Sequence, residues 1–241
     1  MKVLPSLDDM SQVLQIGDYQ LAPEELVARL KQYQLLPQLE RELRIDQAIG
    51  SIACSEKESQ FACEQFYQQR HLNSPEQRQQ WHQQQGLSAV ELIAFATRQL
   101  RINKFKTQTW GSQLESYFLK RKPDLDLYSF SILSLPEPGI AQELYYRLEL
   151  GEQTFAEIAR EHATDAERQT GGRIGPVPLG QLTPALARCL KSNPPGTLVP
   201  PFALGEGVVI VQVGEVKAAR LDEPMRRQLL DELFEQWLTG Q

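Results

Sequence analysis

The chain has 241 residues, a net charge of −6 and 41% hydrophobic residues. That length holds one large domain or two small ones, and the apolar fraction is enough to bury a core. The acidic balance excludes a partner held by charge, whether nucleic acid or an anionic membrane surface, and no apolar run approaches the ~20 residues that span a bilayer.

In sequence order, Met1 to Leu14 carry Asp8 and Asp9 and no continuous apolar block. That is not the pattern of a secretory signal, so the expected location is cytoplasmic. Pro23-Glu24-Glu25 opens an amphipathic helix with Leu26, Leu30 and Tyr33 near helical spacing. Pro37 restarts the pattern, with Leu39, Leu43, Ala48 and Ile49 as its stripe. Ser55 and Glu58 read as a capping box ahead of Phe61, Cys63, Phe66 and Tyr67. Ser74-Pro75-Glu76 starts a glutamine-rich helix that Gly86 ends. From Ser88 a helical pattern runs to about Lys122, with Asn103 and Gly111 as points of bending or interruption. Pro123 disfavours helix at Lys122, which sets a domain boundary there.

Beyond Pro123 the period changes. Leu127 to Leu135 alternates as a strand, Ile140 to Leu150 is a helix, and Thr154 caps another over Phe155 to His162. A loop leads to Gly171-Gly172. Ile174 to Leu179 is extended but broken by Pro176 and Pro178, which places it at a sheet edge. Thr183-Pro184 starts a short helix, and Pro194-Pro195-Gly196 is a turn. Val208 to Val213 is apolar on both faces, the pattern of a central, doubly covered strand. Asp222-Glu223-Pro224 caps a last helix with Leu229, Leu230, Leu233, Phe234 and Trp237 on one side. A stripe of that kind needs a partner surface.

Three cysteines, Cys54, Cys63 and Cys189, make an odd count that argues against a disulfide framework. Their spacing is not that of metal ligands, and His71, His82 and His162 do not cluster with them, so no metal is expected.

The order strand, helix, helix, glycine loop, strand, helix, final strand over about Leu127 to Lys217 resembles the parvulin family of peptidyl-prolyl cis-trans isomerases. Gly171, Gly172 and Gly175 match its glycine loop, with Arg173 where an acidic residue is usual. Asp165, six residues before the first glycine, falls where the family carries Asp or Cys. Read from the residues alone, Asp165 is equally a loop residue capping the backbone. Leu182 and Leu186 fall at the apolar positions of the proline pocket, with Phe202 in the segment after Gly196. Both family histidines are replaced, one by Ser131 and one by Val209. Ile16-Gly17-Asp18-Tyr19 followed by Pro23-Glu24-Glu25 is similar to the short strand and helix that begin parvulin-type chaperone regions.

The resemblance implies an α+β fold: a four-stranded antiparallel sheet with flanking helices, joined to an all-helical N-terminal region that a C-terminal helix completes. It implies a helical region over 1–123, an isomerase module over 124–217, and a final helix over 218–241 packing on the helical region. It further implies Asp165 and Ser131 as the remaining catalytic groups, a substrate pocket of Leu182, Leu186, Phe202 and Val209, and no cofactor. The expected partner is a proline-containing peptide or unfolded polypeptide, bound with weak catalysis. The alternatives are a non-catalytic peptide-binding module and an accessory to export or assembly machinery.

Overall fold

A computed structural model describes residues 14–16, 18–86 and 88–240. The molecule divides into two compact units, residues 1–112 with 230–241, and residues 113–229. The first opens on a small antiparallel pair, β1 (Leu14–Ile16) and β2 (Tyr19–Leu21). Five helices follow: α1 (Pro23–Gln32), α2 (Leu36–Ile49), α3 (Glu56–Gln69), α4 (Pro75–Gln85) and α5 (Ala89–Trp110). Ser55, Ser74 and Ser88 each close a full capping box, satisfying backbone donors that the first helical turn leaves unpaired.

The second unit starts with α6 (Leu114–Leu125), reached through a tight turn over Gly111–Gln113. Pro123 does not end this helix. The backbone stays helical past it, and the last hydrogen bond runs from Asp126 N–H to the Lys122 carbonyl at 3.1 Å. The unit continues with β3 (Leu127–Leu135), α7 (Pro138–Glu149), α8 (Phe155–His162), α9 (Asp165–Thr170), β4 (Arg173–Pro178), α10 (Pro184–Ser192), β5 (Leu198–Leu204) and β6 (Gly207–Lys217). Two of these elements were not legible in the sequence. One is α9, which occupies the expected loop before Gly171. The other is β5, whose Pro200-Pro201 hides its extended character.

The four strands form one antiparallel sheet in the order β4-β3-β6-β5. The Val208–Val213 stretch therefore lies between two neighbours, as its two-faced apolar pattern requires. Leu133, Leu135 and Ile210 point to one face, where they pack with Ala141 and Leu144 of α7 and with Phe155, Ile158 and Ala159 of α8. Phe130, Ile132, Val209, Val211 and Val213 point to the other, against Leu179 and against Leu186 and Leu190 of α10.

Glycine is required where the loop after α9 crosses β3. Gly172 has φ +76°, and a Cβ there would lie 2.8 Å from the Ile132 carbonyl oxygen. Gly175 has φ +104° and an even closer approach to the Tyr128 carbonyl.

The last helix, α11 (Glu223–Thr239), enters the first unit from Leu230 onward. There Phe234 and Leu238 join Ile45, Ile49 and Ile102 in one buried cluster. Lys106, almost fully buried, donates to Asp231 at 2.7 Å with its ammonium 4.5 Å from the Phe234 ring centre. Arg41 grips Glu235 through two bonds of 2.8 and 2.7 Å. Trp237, expected inward, is 39% exposed and stacks on Phe234 instead.

Candidate functional site: an apolar cluster on one face of the sheet

Thr183 and Pro184 start α10, and the 3.6-residue period then puts Leu186 and Leu190 one turn apart on the side facing the sheet. Across from them Val209 stands on β6, and its partner on β5 is Phe202. Leu182 precedes α10 and packs on the same cluster. Leu186 and Val209 are buried, whereas Leu182, Phe202 and Leu204 are half-buried. The structure thus brings Leu182, Leu186, Phe202 and Val209 together in one apolar cluster between the sheet and α10. Cys189 adjoins this cluster, and burial pushes its thiol above the ordinary value, away from the thiolate a nucleophile needs.

Ser131 is not part of this constellation. Its cross-strand partners are Arg173 on β4 and Gln212 on β6, while Val209 is paired with Ser134. Directly opposed residues share a face and successive residues alternate. Ser131 therefore points away from Val209 and Leu186, into a cavity on the α7–α8 side. The β3 residues that share this cluster are Phe130 and Ile132, both buried. The one-residue difference is a matter of register, which a single strand read by itself does not carry. Its consequence is chemical: Ile132 and Val209, β3 and β6 side chains of the cluster, neither titrate nor donate a hydrogen bond.

A polar pair unanticipated from the sequence stands nearby. Beyond Ser131 the strand β4 no longer pairs with β3. Glu167 of α9 takes up part of that open edge. Its carboxylate accepts from the Ser134 hydroxyl at 2.7 Å, from the Thr164 hydroxyl at 3.2 Å and from the Ser134 N–H at 3.4 Å. Asp165 is the first residue of the same helix, and its side chain lies outside the described residues. No sequence motif marks Glu167; only the turn of α9 onto β3 makes it a neighbour of the cluster. Among the described residues no group of three His, Cys, Asp or Glu side chains is placed to hold a metal, and no helix is long and apolar enough to cross a membrane.

The sheet with this strand order, the glycine loop beside β3 and the apolar cluster under α10 are the features to set against known proteins. Residues 139–215 match the family described as Rotamase: PPIC-type PPIASE domain. The sequence is similar to chaperone SurA of Albidiferax ferrireducens, with 28% identity over 104 residues; the match takes in 39% of this chain and 23% of the relative. The matched region therefore spans about a quarter of the length of that curated relative. The fold is similar to the crystal structure of the peptidylprolyl isomerase PrsA of Bacillus cereus, with a TM-score of 0.50 and 14% identity over 95% of this chain and 86% of that one. The corresponding PrsA of Bacillus anthracis aligns with a TM-score of 0.44 and 16% identity over 83% and 89% of the two proteins.

Proposed function

We propose that the protein is a folding factor of the peptidyl-prolyl isomerase type that binds proline-containing segments of unfolded polypeptide in a groove at this cluster and isomerises them slowly. The observation that carries this reading is the gathering of Leu182, Leu186, Phe202 and Val209 on one sheet face inside the stretch that matches the rotamase family. An X-Pro bond turns over a barrier of ~18–20 kcal/mol set by amide resonance. An apolar groove holds the proline ring equally well in planar and twisted states, which gives affinity without rate. Rate needs polar groups that act more strongly on the twisted bond. The cluster supplies none; the candidates are the Ser134–Glu167 pair and Asp165, the latter by its place in the sequence. Each ~1.4 kcal/mol of missing transition-state stabilisation lowers the rate about tenfold.

The test is an isomer-exchange assay on a panel of peptides that vary the residue before proline, run beside binding measurements on the same peptides. Binding with a rate well below that of a histidine-containing parvulin is expected. A full parvulin rate refutes the weak-catalysis part, and no binding of any proline peptide refutes the groove. Asp165→Ala lowers whatever rate remains, because it removes the group that stands where the parvulin family carries Asp or Cys. A client that is unfolded polypeptide at large is supported by exposed apolar side chains on the helical unit, Phe61, Val90 and Phe95 among them; suppression of aggregation of an unfolded protein by the full-length protein tests it.

A further inference from the structure

The face of the sheet opposite the groove carries a polar row. Ser131 is paired with Arg173 on one side and Gln212 on the other, and Gln212 is paired in turn with Leu198. Arg173, Ser131, Gln212 and Leu198 thus form one line across all four strands, and directly opposed residues share a face. Adjacent strands lie ~4.8 Å apart, so the three polar side chains arise within ~10 Å of one another. The neighbouring positions on this face, Leu133 with Ile210 and Leu135 with Val208, are apolar and covered by α7 and α8.

The helices do not cover the polar row. A cavity of about 540 Å³ stands over it, with Arg173, Ser131, Gln212 and Leu198 at its base. Its walls include Tyr145 and Glu149 from the end of α7 and Phe155 and Ala156 from the start of α8. That volume is in the ~300–1,000 Å³ range of small-molecule sites.

The groups around it are mostly donors in need of an acceptor. The side chains of Ser131, Arg173 and Gln212 make no hydrogen bond or ion pair among the described residues, although Ser131 and Gln212 are half-buried. At the start of α8, Thr154 and Glu157 satisfy each other's backbone donors in a capping box. The amides of Phe155 and Ala156, earlier in the same turn, have no intrahelical acceptor. Gly171, at φ +63°, keeps the loop against this turn: a Cβ there would lie 3.2 Å from the Ala156 Cβ. A guanidinium, a carboxamide, a hydroxyl and a helix N-terminus facing one cavity are a receptor for a carboxylate. Glu149 is engaged by the Tyr145 hydroxyl at 3.0 Å and offers the acceptor that a peptide N–H needs.

We propose that this cavity is a second binding site, separate from the proline groove, for a carboxylate-bearing peptide segment, with Arg173 and the α8 N-terminus taking the carboxylate and the Ser131–Gln212 row its amide neighbours. The carboxylate is either the free C-terminus of a polypeptide or an Asp or Glu side chain.

The experiment follows backbone amide shifts of the full-length protein on titration with three proline-free probes. They are acetyl-trialanine as the free acid, the same peptide as its C-terminal amide, and acetyl-Ala-Glu-Ala-amide. At least one acidic probe is expected to shift Ser131, Gly171, Arg173 and Gln212, with the neutral amide leaving them in place; the acid that binds names the source of the carboxylate. Arg173→Gln is expected to weaken that binding at least tenfold while proline-peptide binding stays as in the wild type. Arg173 is exposed, so the variant keeps the fold. Gln212→Leu, which makes the row apolar, is expected to act in the same direction. Equal binding of acid and amide probes, shifts confined to Leu182, Leu186 and Phe202, or an unchanged affinity in Arg173→Gln overturns the proposal. Each of these results leaves the reading of the groove intact.

Discussion

The two faces of one sheet, built from alternate residues of the same strands, have opposite chemistry. Toward α10 the strands present Phe130, Ile132, Val209, Val211 and Val213, and the helix closes on them with Leu186 and Leu190. Toward α7 and α8 they present an apolar half around Leu133 and Ile210 and an unfilled polar row at Ser131. The difference teaches how little separates a binding floor from a different site. A shift of one residue along β3 changes which surface a side chain serves, so the position of a candidate group means nothing until its strand partner is known.

The largest break in this comparison comes from Leu186→Ala. It removes a buried side chain from the groove floor and should cost about 2–5 kcal/mol of unfolding free energy in a urea titration, together with proline-peptide binding. Gly172→Ala disturbs both faces at once, since a Cβ there meets the Ile132 carbonyl and lies 2.9 Å from the Phe155 ring. The left-handed backbone alone should make it about 1–3 kcal/mol less stable, measured in the same titration. Leu182→Ala trims a half-buried wall and should weaken proline-peptide affinity about tenfold, near 1.4 kcal/mol, with little change in melting temperature. Ser134→Ala deletes the hydroxyl held by Glu167 and should cost about 1 kcal/mol, the modest value reflecting a half-exposed pair. The smallest effect sharpens the comparison most. Ser131→Ala should leave stability within ~0.5 kcal/mol and the isomerisation rate unchanged, because the side chain points away from the groove. A fall in rate would return Ser131 to the site.

The sequence carried the fold through signals that act locally or by period: the capping boxes at Ser55, Ser74 and Thr154, the edge prolines of β4, and the doubly apolar run of β6. It also pointed to Leu182, Leu186, Phe202 and Val209, which the fold gathers in one cluster, although Leu182 lies in extended backbone ahead of α10 and not on the helix that carries Leu186. What it did not carry was set by pairing. Ser131 and Ile132 are adjacent in sequence and on opposite faces in space, and only the register with β6 tells them apart. Likewise Glu167 reaches Ser134 across 33 positions of sequence, a contact no local pattern announces. Pro123 misled for the opposite reason: a strong local preference was overridden by the helix that contains it.

Both outer strands of the sheet bear prolines, Pro176 and Pro178 on β4 and Pro200 and Pro201 on β5. Proline has no backbone donor, so neither rim offers the regular ladder that another strand could join. An extended polypeptide lying in the groove can be held by its side chains and still find no template along its backbone. For the proposed client, such rims leave no strand that a growing β-aggregate could extend.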